Sequence, residues 1–230
     1  MTFQKVYSKV ESSVVKVVCI DERNSPVEFG TASLIGDGRF ALTCAHCIPN
    51  ISGVRPGIYK EDKNKLLVCR VVFRDDINDV AIIEYVSPMG KPIIFASSNA
   101  CSVGEQAFVI GYPMGVGRKS LSSAFISNIH DDLILVDSSI NHGNSGGPLF
   151  NINGECMGII SRKNALYPKE LMDLERYKAD VGIIIGEINH FETVNHILKT
   201  MRIHITTGLG FAISNNILKV LHPILAMAIK

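Results

Sequence analysis

One serine stands among three glycines and two asparagines, closed by a proline, in the run Asn141-His142-Gly143-Asn144-Ser145-Gly146-Gly147-Pro148. Glycine accepts positive φ and lets a second backbone come close, so such a loop can turn sharply and aim successive N–H groups at one point. A serine at its apex is placed like a nucleophile beside an oxyanion hole. The competing reading is a Gly/Asn hairpin turn without chemistry. Three further segments bear on the choice. Leu42-Thr43-Cys44-Ala45-His46-Cys47 puts a histidine just after a strand-like run, either as a base or as a satisfied core residue. Asn78-Asp79-Val80-Ala81-Ile82-Ile83 carries an acid into an apolar strand, where it serves a turn or orients another group. Gly158-Ile159-Ile160-Ser161 ends a strand in a hydroxyl soon after the serine loop. In chain order, His46, Asp79 and Ser145 supply the base, the tautomer-fixing acid and the nucleophile of serine-hydrolase chemistry.

The elements that must position these residues read as β-rich. Short apolar or alternating segments recur between turn signals: Val14–Ile20, 30–35, 40–43, 66–73, 80–85, 106–110, 122–129, 133–137, 148–150, 155–161 and 207–213. Asp37-Gly38 and Asn153-Gly154 are hairpin punctuation. So many short strands at close spacing predict barrels or a sandwich rather than alternating strands and helices. The expected fold class is all-β: two six-stranded antiparallel barrels, over about 12–86 and about 104–161 with 207–214, and a boundary near 87–103. Phe3, Val6, Tyr7 and Val10 share one face of an N-terminal helix. Residues 162–206 change character. Pro168 opens a helix to Lys178, and Asn189 with Glu192 resembles a capping box before the stripe Phe191, Val194, Leu198 and Met201. Residues 215–230 read as a terminal helix despite Pro223.

Composition sets the bounds. The chain has 230 residues, 47% hydrophobic and 20% charged, as in ordinary globular proteins rather than disordered ones. A net charge of +1 with scattered Lys and Arg gives no phosphate-tracking surface, so nucleic-acid binding is not expected. No apolar run is long enough to span a bilayer, and Met1–Lys9 lacks the pattern of a secretory signal. Six cysteines without a regular framework read as reduced thiols, which places the chain in a cytoplasmic compartment. Cys44, His46 and Cys47 are metal-ligand types, but no second ligand pair stands at zinc spacing; neither a metal nor a cofactor is expected.

Taken together, TCAHC, NDVAII and GNSGGPLF resemble the histidine, aspartate and serine motifs of chymotrypsin-like (trypsin-type) serine proteases. FGTASLIGDGRFALTCAHCI, GEQAFVIGYPMG, DSSINHGNSGGPLFNINGECMGIIS and TGLGFAISNN are most similar, in order, to the high-temperature-requirement, or Deg-type, branch. His…Asp…Ser is also the order of these double barrels. The resemblance covers roughly 12–161 and 207–222. It implies His46 as general base, Asp79 as its orienting acid, Ser145 as nucleophile, and the Gly143–Asn144–Ser145 loop as the oxyanion hole. It also implies substrate contacts at Ser139, Ile140, His142, Ser161, Arg162 and Lys163, with Ser161–Lys163 pairing to the substrate backbone. Ser139 and Ile140 are uncharged, so cleavage is expected after small or medium aliphatic residues.

The chain departs from the digestive trypsin-type pattern in several places. Thr31 sits near the place where a disulfide partner for Cys47 is expected, Asn144 replaces an aspartate, and there is no Ile-Val-Gly-Gly start. Deg-type chains usually continue into a peptide-binding PDZ domain, and this sequence reaches Lys230 without one. The expected function is a serine endopeptidase with a protein or peptide substrate. The alternative is a latent or non-catalytic regulatory module gated by 162–206, an insertion expected to regulate the site or to form a homo-oligomer or partner interface.

Overall fold

Runs apolar on both faces dictate the architecture. In Val80-Ala81-Ile82-Ile83 every residue is buried: Val80 and Ile82 face one core, Ala81 and Ile83 another. The segment 107–110 does the same, with Phe108 and Ile110 on one side and Ala107 and Val109 on the other. Side chains alternate across a strand, so a strand buried on both faces must lie between two packed layers. The computed structural model shows this arrangement; it describes residues 2–97, 100–130, 133–138, 140–163, 184–185, 188–189, 191–197 and 208–229.

The first unit contains β1 (Val14–Ile20), β2 (Pro26–Ile35), β3 (Phe40–Thr43), β4 (Arg55–Lys60), β5 (Lys65–Val68), β6 (Arg70–Asp75) and β7 (Val80–Glu84). They form an antiparallel sheet in the order β5-β4-β1-β2-β3-β7-β6. Its two edge strands, β5 and β6, are separated in sequence by Cys69 alone, so the sheet has to curl until its edges meet. The Cys69 N–H donates to the Pro56 carbonyl of β4 at 2.8 Å and fixes that junction. The second unit contains β8 (Gln106–Gly111), β9 (Ser120–His130), β10 (Leu133–Val136), β11 (Pro148–Asn151), β12 (Cys156–Lys163) and β15 (Gly210–Ser214). They form a closed barrel in the order β10-β15-β12-β11-β8-β9. Between them β13 (Ile184–Ile185) and β14 (Ile188–Asn189) form a separate two-stranded sheet.

A third core joins the two units, built from Leu42, Val80 and Ile82 on one side and Phe108, Ile110, Phe150, Ile159 and Ile213 on the other. The helix Phe3–Val10 closes it with buried Val6 and Val10, as its stripe requires. Asn215, 1% exposed, donates from Nδ2 to the carbonyls of Ala96 (2.9 Å) and Cys156 (2.8 Å), tying the C-terminal helix to the inter-unit connection.

The all-β, double-barrel class holds, and three finer expectations need adjusting. The first unit is a curled sheet of seven strands rather than six. One strand outside the expected set, Arg55–Lys60, carries Pro56 and Gly57, which read in sequence as turn punctuation. The expected strand 66–73 is two strands, divided at Cys69. Proline disfavours a helical residue before it, so Pro223 holds His222 extended (φ −153°, ψ 141°) and splits the terminal helix into Asn215–Leu221 and Pro223–Ala228. Asn189 does cap the helix that starts at 191: Oδ1 accepts from the N–H groups of Phe191 (3.1 Å) and Glu192 (3.3 Å). The helix expected over 168–178, and Leu198 and Met201 of the later stripe, lie outside the described residues.

Phe150 is fully buried between the units, 5.3 Å from the Phe108 ring. Phe150→Ala is expected to lower unfolding stability by about 3–5 kcal/mol in urea titrations. Val220→Ala, at a side chain 79% exposed, should change it by less than about 0.5 kcal/mol.

Candidate active site

His46 lies on the single turn Ala45–Cys47 that ends β3. Asp79 heads β7, the strand that pairs with β3, so the register Thr43↔Ala81 brings the two residues to the same end of the sheet. A local device aims the acid. The Asp75 carboxylate accepts from the N–H groups of Ile77 (2.9 Å) and Asn78 (3.0 Å) and from Asn78 Nδ2 (2.7 Å), closing a tight turn. Asp79 leaves that turn at φ 56°, in the left-handed region that aspartate tolerates better than bulkier residues. Its carboxylate then meets His46 twice. Oδ2 lies 2.8 Å from Nδ1 of the ring, and Oδ1 accepts the His46 main-chain N–H at 3.0 Å. Asp75 is spent on the turn and Asp76 pairs with Arg74 at 2.5 Å, which leaves Asp79 as the acid facing the histidine.

Ser145 arrives from the other unit. Its loop is held by Asn144 N–H donating to Asn141 O (3.1 Å), Gly146 N–H to Ile160 O (2.7 Å) and Gly147 N–H to Asn144 O (2.9 Å). Gly143 (φ +93°) and Gly146 (φ +80°) need glycine twice over. A Cβ on Gly143 would fall 2.2 Å from Tyr112 O, and one on Gly146 2.1 Å from Thr31 O. Ser161 joins the two halves. The register of β12 against β15 shifts between Ile160 and Arg162, which makes Ser161 the extra residue of a β-bulge. Its hydroxyl donates to Asp79 Oδ2 at 2.6 Å, and its carbonyl accepts from Ser145 Oγ at 3.4 Å. The serine hydroxyl is turned towards that carbonyl rather than the imidazole in this structure.

The other expected contacts distribute unevenly. Asn144 is buried with the loop. Ile140 is 2% exposed and packs on Gly210 in the second barrel. His142 stands edge-on to Phe29, with ring centroids 5.6 Å apart, and faces Glu28 at 3.4 Å. Burial works against the Glu28 carboxylate, but bonds from His142 and the Phe29 N–H hold its pKa below the ordinary value. The backbones of Arg162 and Lys163 pair with Phe211 and Gly210. Ser139 lies outside the described residues. Gly30, one residue before Thr31, is the position whose Cβ would reach Cys47 Sγ, at 2.5 Å. Arg74 is a contributor that the sequence reading missed: Nη1 donates to the carbonyls of Ala45 (3.0 Å) and Ile48, bracing the turn that carries His46. Its signal, one arginine two residues before the acid it pairs with, is indistinguishable in sequence from a surface charge.

The electrostatics follow from these contacts. Burial alone would lower the His46 pKa, but its hydrogen bond to Asp79 and its contact with Cys47 outweigh this and raise it to about 10. Asp79 is lowered: burial opposes ionisation, and the bonds from His46 and Ser161 more than offset it. Cys44, His46 and Asp79 bring ligand-type atoms within 4.8 Å of one another. The separation between ring and carboxylate is nevertheless that of a hydrogen bond. Two ligands on one tetrahedral zinc, each bound at ~2.0 Å, stand about 3.3 Å apart. Burial also keeps the Cys44 thiol protonated, and it donates to Ile160 O at 3.2 Å.

NMR titration of the His46 ring should give a pKa well above the ordinary ~6.5, and Asp79→Asn should bring it down. The raised folded-state value sets the sign of the linkage. The pair contributes its full stability below pH about 6.5 and loses it as pH rises through the folded value of about 10.

The chain is similar to known proteins over much of its length. The trypsin-like peptidase domain family matches residues 30–159. A probable periplasmic DegP-like serine endoprotease of Rickettsia conorii is 29% identical over 152 residues, covering 61% of this chain and 29% of that protein. The chloroplastic protease Do-like 2 of Arabidopsis thaliana is 29% identical over 172 residues, covering 64% of this chain and 28% of the relative. The matched region thus spans under a third of either relative. The structure of the HtrA-type protease AlgW with a tripeptide superposes with a TM-score of 0.67 over 94% of this chain and 61% of the other, at 18% identity, a likeness of fold. Periplasm and chloroplast are not the cytosolic compartment expected from the thiols, although all six cysteines are unpaired here. With more than half of its length matched, the chain belongs to the trypsin-like peptidase domain family.

Proposed function

We propose that this chain is a serine endopeptidase working through an acyl-enzyme. The observation that carries the reading is the double grip of Asp79 on His46, through ring and main chain, at the same seam where Ser161 touches both Asp79 and Ser145. In this reading Ser145 Oγ rotates from the Ser161 carbonyl to His46 Nε2 when substrate docks. It attacks the scissile carbonyl while Nε2 of the deprotonated ring takes its proton, so turnover should rise with pH towards the His46 value of about 10, and Asp79 stabilises the imidazolium through Nδ1. The N–H groups of Gly143 and Ser145, which bond to no acceptor among the described residues, receive the oxyanion. His46 then protonates the leaving amine, and water attacks the acyl-enzyme by the same route.

The substrate is a protein or peptide chain. It adds as a strand along the backbone of Ser161, Arg162 and Lys163, with Ile140 and His142 on the pocket side. No acid stands among these residues to receive Lys or Arg, so we assign cleavage after small or medium aliphatic residues. Profiling on a peptide library should show enrichment of Val, Ala or Leu before the cut; cleavage concentrated after Lys or Arg would reject the assignment.

A fluorophosphonate probe tests the nucleophile: it should label the wild type and not Ser145→Ala. Asp79→Asn should fold normally and lose about 10⁴ in turnover; an active Asp79→Asn protein would mean that another acid serves His46. The orientation of Ser145 Oγ away from His46 favours a second reading, a latent module gated by 162–206. Wild-type protein that resists the probe would support it.

A further inference from the structure

Thr31 is fully buried on β2, in the unit opposite the serine loop, and all of its polar groups are engaged. Its Oγ1 donates to Gly143 O at 2.7 Å and accepts the Tyr112 N–H at 3.0 Å. The Thr31 N–H donates to Ser145 O at 2.9 Å. Its carbonyl accepts from Thr43 Oγ1 at 2.7 Å, three residues before His46. One residue therefore binds the loop of the proposed nucleophile, the segment after β8 and the strand leading to the proposed base.

The identity of the two loop carbonyls gives the arrangement its meaning. They belong to Gly143 and Ser145, the residues whose N–H groups face the oxyanion in the proposed reaction. The neighbouring carbonyls are held from elsewhere, His142 O by the Met114 N–H (2.7 Å) and Asn144 O by the Gly147 N–H (2.9 Å). With all four carbonyls of 142–145 occupied, the intervening peptide planes cannot rotate without giving up buried hydrogen bonds. The close approach has its own steric signature: a Cβ on Gly146 would meet Thr31 O, and one on Gly147 would come 3.3 Å from Thr31 Cγ2.

We propose that Thr31 is a positioning residue that presets the oxyanion loop from the opposing unit, its hydroxyl and N–H holding the carbonyls of Gly143 and Ser145 so that the N–H groups of those residues converge on one point. The inference rests on the reading of Ser145 as the nucleophile. A buried threonine that merely satisfies a carbonyl would affect folding and leave the reaction alone.

Thr31→Val removes the hydroxyl while keeping the branched shape and the N–H bond; Thr31→Ser keeps the hydroxyl; Thr31→Cys keeps a weak donor and carries the comparison should the valine variant fail to fold. Two readouts are taken: kcat and KM on a peptide substrate, and hydrogen exchange of 141–147 against 14–20 in the free protein. Misplacing a reacting group by about an ångström costs up to ~10²-fold, so Thr31→Val should lower kcat by at least about tenfold with KM nearly unchanged. It should also speed exchange in 141–147 and leave 14–20 as it was. Thr31→Ser should restore both, and Thr31→Cys should fall between. Wild-type kcat and exchange in Thr31→Val, or a Thr31→Ser protein as impaired as Thr31→Val, would overturn the proposal. Wild-type protein that neither cleaves nor takes the probe would refute the nucleophile reading instead, and the exchange comparison would still decide whether Thr31 holds the loop.

Discussion

A carboxylate shielded from water has to find donors, and Asp79 takes three of them from two separate segments. The His46 ring, the His46 main chain and the Ser161 hydroxyl all converge on it, and each stands where it does because a local feature delivers it. The Asp75 turn sends Asp79 into the left-handed region, Arg74 braces the His46 turn through two carbonyls, and a β-bulge turns Ser161 out of the β12 ladder. Removing any of these would leave a partly buried charge short of a partner, which is among the costlier defects a fold can carry. The seam between the two units is organised by that requirement.

The same seam explains why both units are needed. Strands such as β7 and β8 bury one face inside their own sheet and the other against the opposite unit, so the core between the units is continuous with both interiors. Histidine and acid come from one side and the serine loop from the other. The glycines of that loop mark where backbone from the second unit meets backbone from the first, at distances no side chain would permit. The two parts of the site are thus positioned by hydrophobic packing, and hydrogen bonds across the seam set their final geometry.

Much of this was legible in the chain. Strand-length apolar runs with turn punctuation located most of β1 to β12, and the ordered motifs around His46, Asp79 and Ser145 pointed to residues that the structure brings to one seam. What escaped was non-local. Arg55–Lys60 carries Pro-Gly inside a strand because its neighbours on both sides hold it extended. Residues 66–73 change sheet edge at Cys69 because the sheet curls, and Arg74 reads as an ordinary surface cation until the turn it braces is seen. Pro223 is a local case instead: a proline disfavours helix at the residue before it, here His222.

The sequence by itself determined residue types, their order and their local conformational permissions: glycine where φ is positive, aspartate where a turn ends, alternating apolar residues where a strand is buried. These properties belong to each residue and its near neighbours. Tertiary structure alone decided which partners meet. Ser161 reaching Asp79 across 82 positions, Thr31 reaching Gly143 across 112 and Asn215 reaching Ala96 across 119 depend on how the sheets curl and pack. A hydrogen bond needs its atoms within about 3 Å, and no local preference in the chain specifies a distance between residues so far apart.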